Sequence, residues 1–177
     1  QEEDFNFIVM EQLGKNLEQY YNICNKRLSL KTVLMIGDQI IAILQYYHFK
    51  NYVHRGVNPS NFLMGLGKKN HKVFMIDYST TKKFRDPKTL EHTPLKEYGF
   101  NPDNIMFSGI SANSGVEASR RDDIESLILM LVYLLKGLPW SQYLTEEANY
   151  RTKDETILQT IYKMKKDTAP EVNTESI

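Results

Sequence analysis

The sequence predicts a mainly α domain carrying small β hairpins, α+β overall, and three observations lead there. Two long apolar-faced stretches, about Leu30 to Phe49 and about Asp122 to Lys136, have helical periodicity. Short β-rich runs, Phe62-Leu63-Met64 and Val73 to Ile76, flank the turn-forming Gly65-Leu66-Gly67-Lys68-Lys69-Asn70. At 177 residues the chain is one cored domain, or one lobe of something larger, since chains split into domains only beyond roughly 250 residues.

Taken in order, Phe5, Phe7, Ile8, Val9 and Met10 alternate and then run apolar, which predicts a strand that Glu11-Gln12-Leu13-Gly14 ends. Leu17 to Tyr21 reads as a short helical turn, and Ser29 offers an N-cap hydroxyl to the first long helix. Val33, Leu34, Ile36, Ile40, Ile41, Ile43, Leu44 and Tyr47 give that helix a broad apolar face, so it is a central packing helix. Gly65-x-Gly67-Lys68 lacks the remaining spacing of a phosphate loop and a following helix, and reads as a hairpin turn. From Tyr78 to Ser119 the periodicity fails, and so long a stretch without elements is commonly functional or adaptable. The second long helix, with Ile124, Leu127, Ile128, Leu129, Leu131, Val132, Leu134 and Leu135, is apolar nearly all round and should be enclosed on most sides. Gly137 stops it, Leu138-Pro139-Trp140 turns the corner, and the charged tail holds one weakly amphipathic helix around Glu155 to Lys165.

Twenty-two basic residues balance twenty-two acidic ones, so no charge excess argues for nucleic acid or an anionic membrane. No run approaches the roughly 18 apolar residues of a transmembrane helix, and Gln1-Glu2-Glu3-Asp4 is the reverse of a signal peptide's basic flank. A lone Cys24 cannot make an internal disulfide, which fits a reducing intracellular compartment, the cytoplasm first, with cytoskeletal or nuclear placement left open. Lacking an initiating methionine, the chain reads as truncated at its front.

The chemistry concentrates in Tyr52-Val53-His54-Arg55-Gly56-Val57-Asn58-Pro59-Ser60-Asn61, followed after the hairpin by Asp77-Tyr78-Ser79. This resembles a protein kinase catalytic loop, H-R-D-x-x-x-x-N, and the D-F-G metal-binding turn. Gly56 stands where the aspartate that accepts the substrate hydroxyl proton belongs, and Asn58 where serine/threonine kinases carry a lysine against the transferring phosphate. Asn61 and Asp77 keep the metal-facing positions, although Asn and Asp on turns also serve simply to satisfy backbone groups. Ser60 or Asp86 are the alternatives for a displaced base. His54 and Arg55 read as structural, Tyr78 as core filling, and Arg120 with Arg121 as an anion site or as partners of Asp122, Asp123 or Glu125.

Longer runs narrow the resemblance. Asn61-Phe62-Leu63-Met64-Gly65-Leu66-Gly67-Lys68-Lys69, Lys82-Lys83-Phe84-Arg85-Asp86, and Ser119-Arg120-Arg121-Asp122-Asp123 through Leu127, with Leu138-Pro139-Trp140, are similar to the mostly helical C-terminal lobe of the casein kinase 1 family. The resemblance implies residues 1–14 as hinge strand and hinge, and 15–177 as a helical kinase C-lobe incomplete at both ends. It places Glu11 and Leu13 on the adenine hinge, Asn61 and Asp77 on magnesium, and Asp123 against the catalytic-loop backbone. Against the family pattern, Ser79 replaces the glycine of the metal turn, Pro102-Asp103-Asn104-Ile105-Met106 replaces T-G-T-A-R, and Ser111 replaces the asparagine of S-I-N.

No G-x-G-x-x-G-x-V loop and no V-A-I-K strand precede the hinge, so ATP with magnesium is expected only if an N-lobe lies outside these residues. The leading expectation is a casein-kinase-1-like pseudokinase, with no catalytic residue, that acts as a protein-binding or scaffolding module. Its partners are proteins, and neither nucleic acid nor membrane is expected. The rival expectations are an active or weakly active serine/threonine kinase and a nucleotide-responsive switch that binds ATP without turnover.

Overall fold

A computed structural model describes residues 8–97, 104–144 and 154–168. The order is α1 (Leu17–Ile23), α2 (Leu30–Phe49), β1 (Tyr52–Val53), β2 (Phe62–Met64), β3 (Val73–Met75), β4 (Lys82–Lys83), α3 (Ile110–Asn113), α4 (Arg120–Lys136) and α5 (Glu155–Asp167). Helices with small antiparallel sheets make this a mixed α and β architecture. Among the described residues no helix is long and apolar enough to cross a membrane.

Local chemistry accounts for the helix starts. Ser29 Oγ accepts the Thr32 amide at the head of α2, and Asn16 and Gln19 close a capping box at the head of α1. Ser119 and Asp122 do the same for α4, and Gly137 ends it at φ 79, a left-handed conformation that glycine adopts without a steric penalty.

α2 and α4 form the centre of the core and run antiparallel: Gly37 faces Leu131, whereas His48, near the end of α2, meets Asp123, near the start of α4. A Cβ on Gly37 would lie 3.0 Å from Leu131 Cδ1, so glycine lets the two axes approach. Val33, Ile36, Ile40 and Leu44 interlock there with Leu127, Met130 and Leu134. The apolar face of α2 is narrower than its sequence suggests, because Leu34 and Ile41 are exposed. α4 is enclosed on most sides, with Leu127 and Leu134 buried and Leu129, Leu131, Val132 and Leu135 packed against the core, while Ile124 and Ile128 face outward.

Two small antiparallel sheets accompany this helical pair. β2 and β3 pair with Phe62 opposite Met75 and Met64 opposite Val73, and Gly14 and Lys15 run alongside, the Gly14 amide donating to Met64 O at 2.8 Å. Gly65 is packed so closely that a Cβ would meet Lys69 O at 2.3 Å, which makes its run a tight turn. The second pair, β1 with β4, joins Tyr52 to Lys83 and Val53 to Lys82 and lies partly in the stretch where periodicity fails.

That stretch is not structureless. Ile105, Met106 and Phe107 are fully buried, α3 follows, and Trp140 Nε1 donates to Met106 O at 2.9 Å. The expected strand from Phe5 to Met10 falls partly outside the described residues. Its remainder, Ile8 to Met10, is exposed and irregular, since no neighbouring strand among the described residues satisfies its backbone. Pro102 and Asp103 also lie outside the described residues.

α5 docks through Leu158, Ile161 and Lys165. The Lys165 ammonium group is buried, with Nζ donating to Ser108 O at 2.5 Å and to Asn113 Oδ1 at 3.1 Å, and it lies 5.4 Å from the centre of the Trp140 ring. Burial pulls its pKa down to about 7, against the opposing pull of the Glu125 carboxylate. Between about pH 7 and the ordinary lysine range the unfolded chain therefore binds the extra proton, and stability rises with pH. In urea unfolding at pH 7 and pH 9, the stability of the unmodified chain relative to Lys165→Met should increase at the higher pH, with a limiting slope of about 1.4 kcal/mol per pH unit. A difference that does not change with pH contradicts this assignment.

Candidate functional site

Asp123 organises the site. Projecting from the first turn of α4 and almost fully buried, its carboxylate accepts the His54 amide (2.9 Å), the Arg55 amide (2.8 Å) and His48 Nε2 (2.9 Å). It thereby ties α2, α4 and the loop after β1 together, and gives the two loop amides the acceptors that a buried backbone requires.

His54 is fully buried, and its ring bridges two segments. Nδ1 accepts the Gly56 amide at 3.2 Å, so Nε2 carries the proton and donates to Ile76 O at 3.2 Å. Burial holds its pKa below the ordinary histidine value, and the opposing effect of the Asp123 carboxylate is smaller. Arg55 sits at φ 65, a left-handed conformation unusual outside glycine, and its Nε donates to Thr80 O. Its side chain faces solvent, so Arg55 clamps the loop to the segment after Asp77.

Gly56 does not have a positive φ, so the backbone does not demand glycine at this position. What a side chain would meet is Thr80 Oγ1, 3.1 Å from an ideal Cβ, with Asn61 Nδ2 and His54 Nδ1 each at 3.5 Å. Thr80 Oγ1 is itself fixed by donating to His54 O at 2.7 Å. Thr80 therefore borders the space that a side chain at position 56 would enter, and the linear motif around Gly56 carries no sign of it.

Asn58 is turned into the loop. Its Oδ1 accepts the Ser60 amide at 3.0 Å, capping the single 3₁₀ turn Pro59–Asn61, and its Nδ2 donates to Gly56 O at 3.2 Å. Both ends of the side chain are committed to the backbone. Asn61 Nδ2 donates to the same Gly56 O at 2.8 Å, and the Ile76 amide donates to Asn61 O at 2.9 Å, which brings Asn61 beside the Asp77 turn. Asp77, at φ 61, is exposed, and its Oδ1 accepts both the amide (3.2 Å) and the hydroxyl (2.6 Å) of Ser79.

An amide and one carboxylate with an oxygen already engaged by Ser79 do not fit a free-standing magnesium site. Among the described residues no group of three or more His, Cys, Asp or Glu residues is arranged to hold a metal ion. Glu11 and Leu13 lie away from this cluster in their contacts. Glu11 forms an exposed ion pair with Lys69 at 2.7 Å, and Leu13 is half-buried next to the Gly14 contact with β2.

Of the alternative bases, Asp86 accepts the Lys88 and Thr89 amides in its own exposed turn, hydrogen bonds that lower its pKa, and the Ser60 amide is engaged by Asn58. Tyr78 is 56% exposed and does not fill the core; its hydroxyl donates to Met75 O at 2.8 Å, and its ring stacks at 5.9 Å on Tyr47. Burial raises the pKa of the Tyr47 phenol, whose oxygen lies 2.6 Å from Thr81 Oγ1. No protein-family model matches the chain.

Replacing Asp123 by alanine leaves two loop amides and one imidazole N–H without their acceptor. The variant should lose on the order of 3 kcal/mol or more in urea unfolding. Asp123→Asn, which keeps one oxygen acceptor, should lose less, and equal losses for the two variants contradict the assigned role.

Proposed function

We propose that this chain is the helical lobe of a casein-kinase-1-like pseudokinase and works as a protein-binding or scaffolding module. The observation that carries this reading is the loop itself: Gly56 supplies no carboxylate, and the Asn58 side chain is spent on Ser60 N and Gly56 O. A general base must reach the proton it removes, and a group stabilising the transferring phosphoryl oxygens must point at them. In this loop the first has no atoms to reach with and the second is held inward.

The framework beneath is kept in good order. Asp123, His54 and Arg55 hold the loop with buried hydrogen bonds, which supports a role for its shape in the absence of turnover. ATP and magnesium enter this reading only as ligands of a larger protein in which a glycine-rich loop and a lysine strand accompany these residues.

One observation favours the rival, an active or weakly active serine/threonine kinase: the Ile76 to Asn61 hydrogen bond keeps Asn61 adjacent to the Asp77 turn. Radiolabelled phosphate transfer from ATP to a protein substrate separates the two. The full-length protein should transfer no more phosphate than its Asp77→Ala variant, and a binding partner should be retained equally by both. Robust transfer that Asp77→Ala abolishes overturns the pseudokinase reading. Gly56→Asp with Asn58→Lys, made together with Thr80→Ala to clear the space beside the new side chain, tests whether the framework still accepts the missing groups.

A further inference from the structure

The outer side of the α2/α4 seam is open. Ile41 (52% exposed), Gln45, His48 and Phe49 (71%) from α2, Ile124 (38%) and Arg120 from α4, and Arg85 from the segment after β4 line a groove of about 560 Å³. Ile128, also exposed, extends the apolar side one turn along α4. On α2 the positions Ile41, Gln45 and Phe49 recur at four-residue spacing, so they share one face, and with Ile124 and Ile128 the exposed Ile41 and Phe49 make an apolar patch of the kind that recurs at interaction sites.

The two arginines give the groove its chemistry. The Arg120 guanidinium lies 4.5 Å from the centre of the buried Phe84 ring and that of Arg85 lies 5.4 Å from it, so two cations share one aromatic ring. Arg85 Nε is further held by Asn51 Oδ1. Neither meets a carboxylate among the described residues. The nearby acids are committed elsewhere: Asp122 to Arg121 and Ser119, Asp123 to His48 and the loop amides, Asp86 to its own turn, and Glu125 to the Ile110 amide. Two like charges, held by a ring and an amide and lining the same groove, leave it suited to an anion.

We propose that this groove docks a segment of a partner protein that places an aliphatic or aromatic side chain against Ile41, Phe49 and Ile124 and an anionic side chain on Arg85 and Arg120. The anion is a carboxylate or a phosphorylated hydroxyl, since guanidinium forks accept either. Nucleic acid fits poorly: it would call for a wider basic field than two arginines on a chain of zero net charge, and it would leave the apolar wall unused. The inference rests on the protein-binding reading for the class of partner; its surface adjoins the site through His48, which hydrogen-bonds Asp123, but is lined by none of the loop residues around Gly56.

The test uses the full chain and fluorescein-labelled ten-residue peptides in an Ala/Ser host. They carry a central Leu or Phe and, at scanned spacings, Glu, phosphoserine, Lys or Ala. By fluorescence anisotropy, peptides combining the apolar residue with Glu or phosphoserine should bind roughly tenfold or more tightly than those with Lys or Ala. Arg120→Glu and Ile41→Asp should each remove that preference, and Arg120→Glu should favour the Lys peptides. Both positions are exposed, so circular dichroism should show the fold intact. The comparison of Glu with phosphoserine identifies the anion. No binding by any peptide of the set, or binding indifferent to both substitutions, overturns the proposal. Phosphate transfer measured on the same variants keeps the outcomes apart, because neither substitution touches the catalytic-loop region.

Discussion

One buried carboxylate holds the functional half of this protein in place. Asp123 receives hydrogen bonds from two consecutive loop amides and from a histidine on the neighbouring helix. A buried charge is tolerated when donors surround it, and here the donors belong to three different segments. The conformation of the loop is thereby coupled to the packing of α2 on α4. The positive φ at Arg55 persists within this arrangement because the amide and the guanidinium of that residue are both anchored, to Asp123 and to Thr80.

Within that frame the loop has become self-contained. His54, Asn58 and Asn61 all direct polar atoms at Gly56, through its amide or its carbonyl, and Thr80 closes the remaining side. The polar ends of these side chains are thus used to satisfy backbone groups. Such an arrangement gains rigidity from local hydrogen bonds and leaves little free chemistry at the centre. Charge that no carboxylate meets among the described residues appears next to this site, where Arg85 and Arg120 approach Phe84 and share a groove with His48. The groove combines an apolar wall with two cations, the chemistry of a surface that works by contact.

The helices were legible because their signals are local. Ser29 predicts the start of α2 and Phe49 its end, Gly137 predicts the stop of α4, and the turn between Met64 and Val73 predicts the β2/β3 hairpin. The misreadings concern environment. Tyr78 has the composition of a core residue and lies half outside, whereas Lys165 has the composition of a surface residue and lies inside. Ile105 to Phe107 sit in a segment without periodicity and are nonetheless among the most buried residues, because a short irregular run can be wrapped by Trp140 and α4 without forming an element of its own.

By itself the sequence determined the two long helices, α2 and α4, and the β2/β3 hairpin, but not α3, since periodicity, capping and turn chemistry act within a few positions of the chain. Tertiary structure alone decided what the remaining residues do. The union of Asp123 with His48, the placement of Thr80 beside Gly56, the pairing of β1 with β4 and the convergence of Arg85 and Arg120 on Phe84 each join segments far apart in the chain. Contacts of that kind depend on how helices and hairpins pack, and no local pattern encodes them.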